Sequence, residues 1–140
     1  MTLPEARDGC ETTVIEADIY LIDDDPLVRR SVIRLLESAG YKVQAFAEPN
    51  HFLQRFSTRP APVVILDIWM EHVRGMELLA HIYAKSPQTR LIFITGEQDR
   101  PAEITVKQAG AFAFLSKPID SKLFLGAVQT AFNGPRAPAS

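Results

Sequence analysis

Three stretches of this chain are apolar at every position and then break off on a polar residue. Ile19-Tyr20-Leu21-Ile22 runs into Asp23, Asp24 and Asp25; Val63-Val64-Ile65-Leu66 runs into Asp67; Leu91-Ile92-Phe93-Ile94 runs into Thr95. A half-exposed strand alternates apolar with polar, so an unbroken apolar run predicts a strand covered on both faces. The cover has to come from helices, and the segments between the runs carry a helical period.

After the first run, Pro26 suits the first helical position, where its missing N–H costs nothing. Val28, Val32, Leu35, Leu36 and Ala39 follow at helical spacing, and Gly40 is a good stop. Tyr41 to Phe46 alternates and predicts a second strand. Pro49 opens a helix carrying Phe52, Leu53 and Phe56, and Met76, Leu79, Ile82 and Tyr83 mark another. A weaker helix is expected from about Ala102 to Ala109, before Gly110. Phe112 to Leu115 is a short fifth strand, ending near Lys117-Pro118. Asp120 can cap a last helix with Leu123, Phe124, Ala127, Val128 and Ala131 on one face. Five strands alternating with five helices predict an α/β fold, a doubly wound parallel sheet with helices on both faces.

With 140 residues the chain has the length of one domain. Residues 1–16 are polar and aperiodic and are expected to be a flexible N-terminal arm. Residues 133–140, NGPRAPAS, are expected to be a flexible tail, leaving 17–132 as the folded unit. A net charge of −2 gives no basic footprint, and nothing after Phe132 has room for a recognition helix, so direct nucleic-acid binding is not expected. Cys10 is the only cysteine, which excludes an internal disulfide and a cysteine-rich zinc site. The opening residues MTLPEARDGCE have no apolar core of a signal peptide, and no apolar run approaches the ~20 residues that span a bilayer. These points predict a cytoplasmic protein.

In open α/β sheets, ligands bind outside the carboxyl ends of the strands, where strand order switches. Asp23 to Asp25, Asp67, Thr95 and Lys117 all fall at such ends. Carboxylates about 4 Å apart repel by roughly 4 kcal/mol at an effective dielectric near 20, so a cluster raises a pKa or recruits a cation. Hard oxygen ligands suit Mg²⁺, which keeps several waters and also binds phosphate oxygens. A cation and Lys117 together would neutralise an incoming phosphoryl group while a carboxylate oxygen attacks it. Each residue has a plainer reading as well. The aspartates suit turns and caps, with Asp25 the natural cap; a threonine ending a strand is commonplace; Lys-Pro after a strand is usually a loop. The chemical reading rests on their coincidence at successive strand ends.

Over about residues 17 to 132 the sequence resembles the response-regulator receiver domain of bacterial two-component systems. The resemblance lies in IYLIDDDPLVRRSVIRLLESAGY, VVILDIWMEHVRGMELL, LIFITG and AGAFAFLSKPID, and is nearest to receivers of LuxR-type regulators, here without the DNA-binding domain. It implies a flavodoxin-like sheet of strand order 2-1-3-4-5. It implies that Asp67 is the phosphoacceptor and that Asp24 ligates Mg²⁺ directly, with Asp23 acting largely through water. The backbone carbonyl of Trp69 would be a further ligand, and Mn²⁺ would substitute for Mg²⁺. Thr95 and Lys117 would bond phosphoryl oxygens, and Thr95 with Phe114 would form the switch. The implied donor is a phosphohistidine on a sensor histidine kinase or phosphotransfer protein. The implied output is a changed surface of the last two helices and fifth strand, read by a protein target, by a homodimer partner or by the next histidine of a phosphorelay. Such a receiver catalyses only its own phosphorylation and dephosphorylation.

Departures from the family pattern are Glu71, where proline is common, Val73, where methionine is frequent, and the bulky Trp69, which could shield the phosphoryl group or simply lie over the surface. Phe114 has a plainer reading as a core aromatic. His51, His72 and His81 show no shared ligand spacing. Two competing functions stand beside the receiver: a non-phosphorylated interaction module of the same fold, and a metal-dependent phosphohydrolase. The second would want an acid two residues after Asp67, where Trp69 stands.

Overall fold

The structure, a computed structural model, describes residues 17–67, 75–96, 103–104, 107–108 and 110–133. The elements run β1 (Ile19–Ile22), α1 (Pro26–Ser38), β2 (Val43–Phe46), α2 (Pro49–Thr58), β3 (Val63–Asp67), α3 (Gly75–Lys85), β4 (Arg90–Thr95), β5 (Ala113–Ser116) and α4 (Ser121–Asn133). The sheet is parallel throughout, in the order β2-β1-β3-β4-β5. The chain therefore starts in the interior of the sheet, steps outward once, and returns across β1 to build the other side. That reversal places the crevice between the carboxyl ends of β1 and β3.

Four helices are complete among the described residues, against five expected. Of the helix expected over 102–109, Glu103, Ile104, Lys107 and Gln108 are helical, with Lys107 Nζ 2.9 Å from Glu103 Oε2 one turn away. The rest of that segment lies outside the described residues. Strand boundaries differ from those expected: the second strand begins at Val43, and the fifth runs from Ala113 to Ser116. The last helix, α4, runs to Asn133.

Strand alternation sorts the core into two clusters that share no residue. Ile19, Leu21, Val63, Ile65, Ile92 and Ile94 face Val32 and Leu36 of α1 and Phe124 and Val128 of α4. Tyr20, Ile22, Val64, Leu66, Leu91 and Phe93 face Phe52 and Phe56 of α2 and Leu78 and Ile82 of α3. Every one of these is buried, and a fully buried aliphatic or aromatic side chain of this size is worth about 1.5–3 kcal/mol. Tyr20 is the polar exception in an apolar run. Its ring meets Phe46, Phe52 and Phe56 edge-on, and its hydroxyl donates to the Arg59 carbonyl at 2.6 Å.

Two helices are launched by aspartate caps beside the crevice. Asp25 Oδ1 accepts from the amides of Leu27 and Val28, with Pro26 at the first position. Asp120 Oδ1 accepts from Lys122 and Leu123. Capping fixes where each helix starts, and so fixes the loops that carry Asp23, Asp24 and Lys117.

Candidate functional site

The last residue of β1 is Ile22, so Asp23 is carried out of the sheet at its carboxyl edge, with its N–H still bonded to the Phe46 carbonyl at 3.2 Å. Asp67 ends β3 and Thr95 ends β4, and both are buried. Lys117 follows β5, tied back by its N–H to the Thr95 carbonyl at 2.7 Å. Its peptide bond to Pro118 is cis. Its stem passes Gly96 closely, since a Cβ there would lie 3.9 Å from Lys117 Cδ. The expected residues thus lie along one edge of the sheet, as parallel register requires.

Asp23, Asp24 and Asp67 converge: each offers a carboxylate oxygen, and the three lie within 4.8 Å of one another. Lys117 Nζ is 3.3 Å from Asp23 Oδ2 and 3.3 Å from Asp67 Oδ2, donating a hydrogen bond to the latter. Asp23 is fully buried. Its Oδ1 accepts from the Asp25 amide at 2.9 Å, while Oδ2 has the ammonium nearby but no hydrogen bond of good geometry. Asp24 is exposed at the mouth.

The electrostatics follow from that crowding. Burial pushes the Asp23 carboxyl above its ordinary range; the Asp25 amide and Lys117 pull the other way, and the Asp67 charge adds to the rise. Burial alone would depress Lys117, but the carboxylates of Asp23 and Asp67 outweigh it and raise the ammonium. Three carboxylates against one ammonium leave two negative charges in excess. A buried carboxylate oxygen without a hydrogen bond, beside two more carboxylates, suits a hard divalent cation.

Phe114 lies in β5 opposite Phe93, half-buried, against the cluster that holds Tyr20 and Phe93. Trp69, Glu71, His72 and Val73 lie outside the described residues, and with them the expected backbone ligand at Trp69. His51 and His81 are exposed on helices and join no ligand cluster among the described residues.

Two features went unread in the sequence. Arg29 Nη1 donates to the Asp23 carbonyl at 2.8 Å. Its signal was a cation in the first turn of a helix, where the dipole disfavours it. The second is a groove of about 640 Å³ opening on Lys117, between α1 and the start of α4, lined by Leu27, Val28, Leu35, Pro118 and Ile119. Leu27, which lines it, is a large apolar side chain left 69% exposed.

Comparison with known proteins agrees with this geometry. Residues 19–129 match the response regulator receiver domain family. The response regulator protein TmoT of Ectopseudomonas mendocina is 32% identical over 116 residues, covering 83% of this chain and 53% of that protein. The C4-dicarboxylate transport transcriptional regulatory protein DctD of Rhizobium meliloti is 37% identical over 100 residues, covering 71% of this chain and 22% of that protein. The chain thus spans about half or less of the length of these relatives. A response regulator receiver domain protein from Clostridium thermocellum superposes with a TM-score of 0.78 at 30% identity, covering 84% of this chain and 94% of that one. The relatives do not single out LuxR-type regulators, so that finer kinship widens to response regulators in general.

Proposed function

The chain belongs to the response regulator receiver domain family, and from that premise we propose that it accepts a phosphoryl group on Asp67 from a phosphohistidine donor, in a reaction that uses a divalent cation, Mg²⁺ or Mn²⁺. The observation that carries this reading is the position of Lys117, whose ammonium stands 3.3 Å from both Asp67 and Asp23. It offsets part of the carboxylate charge around Asp67 and stands ready for the charge the phosphoryl oxygens bring.

Asp23, Asp24 and Asp67 would hold the cation, with the Trp69 carbonyl as the further ligand. The excess of negative charge and the unbonded Asp23 Oδ2 fit it. When bound, the cation supplies charge neutralisation for the phosphoryl oxygens. The residues of the chain do the rest. An Asp67 carboxylate oxygen forms a bond to phosphorus as the phosphorus–nitrogen bond of the donor histidine breaks, and the imidazole leaves with the electron pair. Lys117 shifts toward a phosphoryl oxygen, and the Thr95 hydroxyl donates to another. Water later attacks phosphorus, releasing phosphate and restoring the carboxylate.

The signal is the movement of Thr95. Drawn toward the new acceptor, it vacates space that half-buried Phe114 can enter, changing the surface around β5 and its neighbouring helices. A protein target, a second copy of the chain or the next histidine of a phosphorelay would read that surface. We take 17–132 as the receiver unit and the cytoplasm as its place of work.

Trp69, two residues along the chain from Asp67, is a built-in reporter. Its fluorescence should change on adding Mg²⁺, and again with beryllofluoride or acetyl phosphate. Asp67→Asn should abolish the second response and phosphorylation alike. A folded wild-type protein silent to both phosphoryl reagents would favour the non-phosphorylated interaction module instead.

A further inference from the structure

Asp24 is the unlike member of the acid cluster. Asp23 and Asp67 are buried, whereas Asp24 is exposed, so the core does not set its direction. The main chain on either side restrains it. The peptide before Asp24 carries the Asp23 carbonyl, which accepts from Arg29 Nη1 at 2.8 Å. The peptide after it carries the Asp25 N–H, which donates to Asp23 Oδ1 at 2.9 Å. Peptide units are planar, so one bond on each flanking unit restrains both soft dihedrals of the residue between them. Two hydrogen bonds, one of them from Arg29, therefore restrain where Asp24 Cβ points.

The placement of Arg29 is costly on other grounds. It sits in the first turn of α1, where a positive charge opposes the helix dipole; that turn holds no acidic residue, and the Asp25 carboxylate before it is engaged as the cap. A half-buried guanidinium aimed at the Asp23 carbonyl, just past β1, offsets that cost through a charge-assisted bond. We propose that Arg29 is a positioning residue of the acid site: by holding the Asp23 carbonyl it aims the Asp24 carboxylate at the cation and so strengthens divalent-ion binding. The inference rests on the reading of Asp24 as a cation ligand.

Charge and position make opposite demands here, and that allows a clean test. A cation beside a metal site repels the metal, so an Arg29 acting by charge alone would weaken Mg²⁺ binding, and Arg29→Met would tighten it. A positioning role requires the reverse. Calorimetric titration of the full chain with Mg²⁺ should show Arg29→Met binding about tenfold more weakly, at the low end for loss of a group supporting a ligand. Arg29→Lys, which keeps a donor and the charge, should bind within about threefold of wild type. Equal or tighter binding by Arg29→Met overturns the proposal. A second measurement works without metal. Hydrogen exchange at the Asp25 amide should quicken about tenfold in Arg29→Met while the amides of β3 keep their protection. An unchanged Asp25 amide overturns the proposal whatever the titration gives. A wild-type chain that binds no Mg²⁺ would instead defeat the metal-site reading, with the amide still deciding whether Arg29 restrains the loop.

Discussion

A lysine placed between two carboxylates does what neither acid could do alone. Lys117 sits 3.3 Å from Asp23 and from Asp67, and its positive charge lets the two acids stand close together. These residues were legible in the sequence because each ends a strand or directly follows one, and parallel register carries strand ends to one edge. Arg29 was not, because its partner is a backbone carbonyl and no side-chain pattern marks a carbonyl. Tyr83 was also read only as one apolar step in a helix. Its hydroxyl donates to the Gly110 carbonyl at 2.5 Å, tying α3 to the loop before β5, and burial raises its pKa above the ordinary 10.0. A phenol with a raised native pKa lends stability below its unfolded value and loses it as pH climbs through the native one. At neutral pH, Tyr83→Phe should therefore be less stable by about 1 kcal/mol, the usual worth of such a bond. Urea titrations at rising pH should show that deficit shrinking above about pH 10. A deficit that held constant or grew would contradict the tie.

At the scale of elements, the apolar runs and proline starts placed most of the fold, since Pro26 and Pro49 each open a helix where expected. The second strand was read two residues too long because Tyr41 is apolar but lies between the turn and the strand, where its ring stacks on Phe132 of α4 at 5.1 Å. Periodicity within one segment cannot reveal a contact made by a helix ninety residues later. The groove between α1 and α4 is likewise a product of two distant segments. Its rim includes Lys117 and its wall Leu27, so a donor protein bringing a phosphohistidine to Asp67 would rest on this side. Leu27→Glu should slow phosphoryl transfer from a histidine donor by about tenfold, the cost of a charge at a desolvated anchor. Reaction with the small donor acetyl phosphate should stay within about twofold, because Leu27 faces solvent and supports no reacting group. Equal slowing with both donors would move the docking surface elsewhere.

The whole molecule is two slabs of side chains separated by one sheet. Leu36 belongs to the slab under α1 and α4, and Phe56 to the slab under α2 and α3. Leu36→Ala and Phe56→Leu should therefore destabilise independently, with the double variant matching the sum within about 0.5 kcal/mol. Phe52 and Phe56 share a slab with ring centroids 5.3 Å apart. Phe52→Leu with Phe56→Leu should miss additivity by more than about 0.5 kcal/mol. Urea unfolding of the two double-mutant cycles reads the contrast, and strong coupling across the sheet would refute the separation. Strand polarity has a further consequence. Among the described residues the two buried clusters share no member, so the polypeptide backbone of the sheet is a carrier common to both for an event at the crevice. A shift of a strand end by a fraction of an ångström would reach the helices on both flanks at the same moment. A chain built this way can therefore rewrite the packing of one flank for a new listener and leave the other flank unaltered.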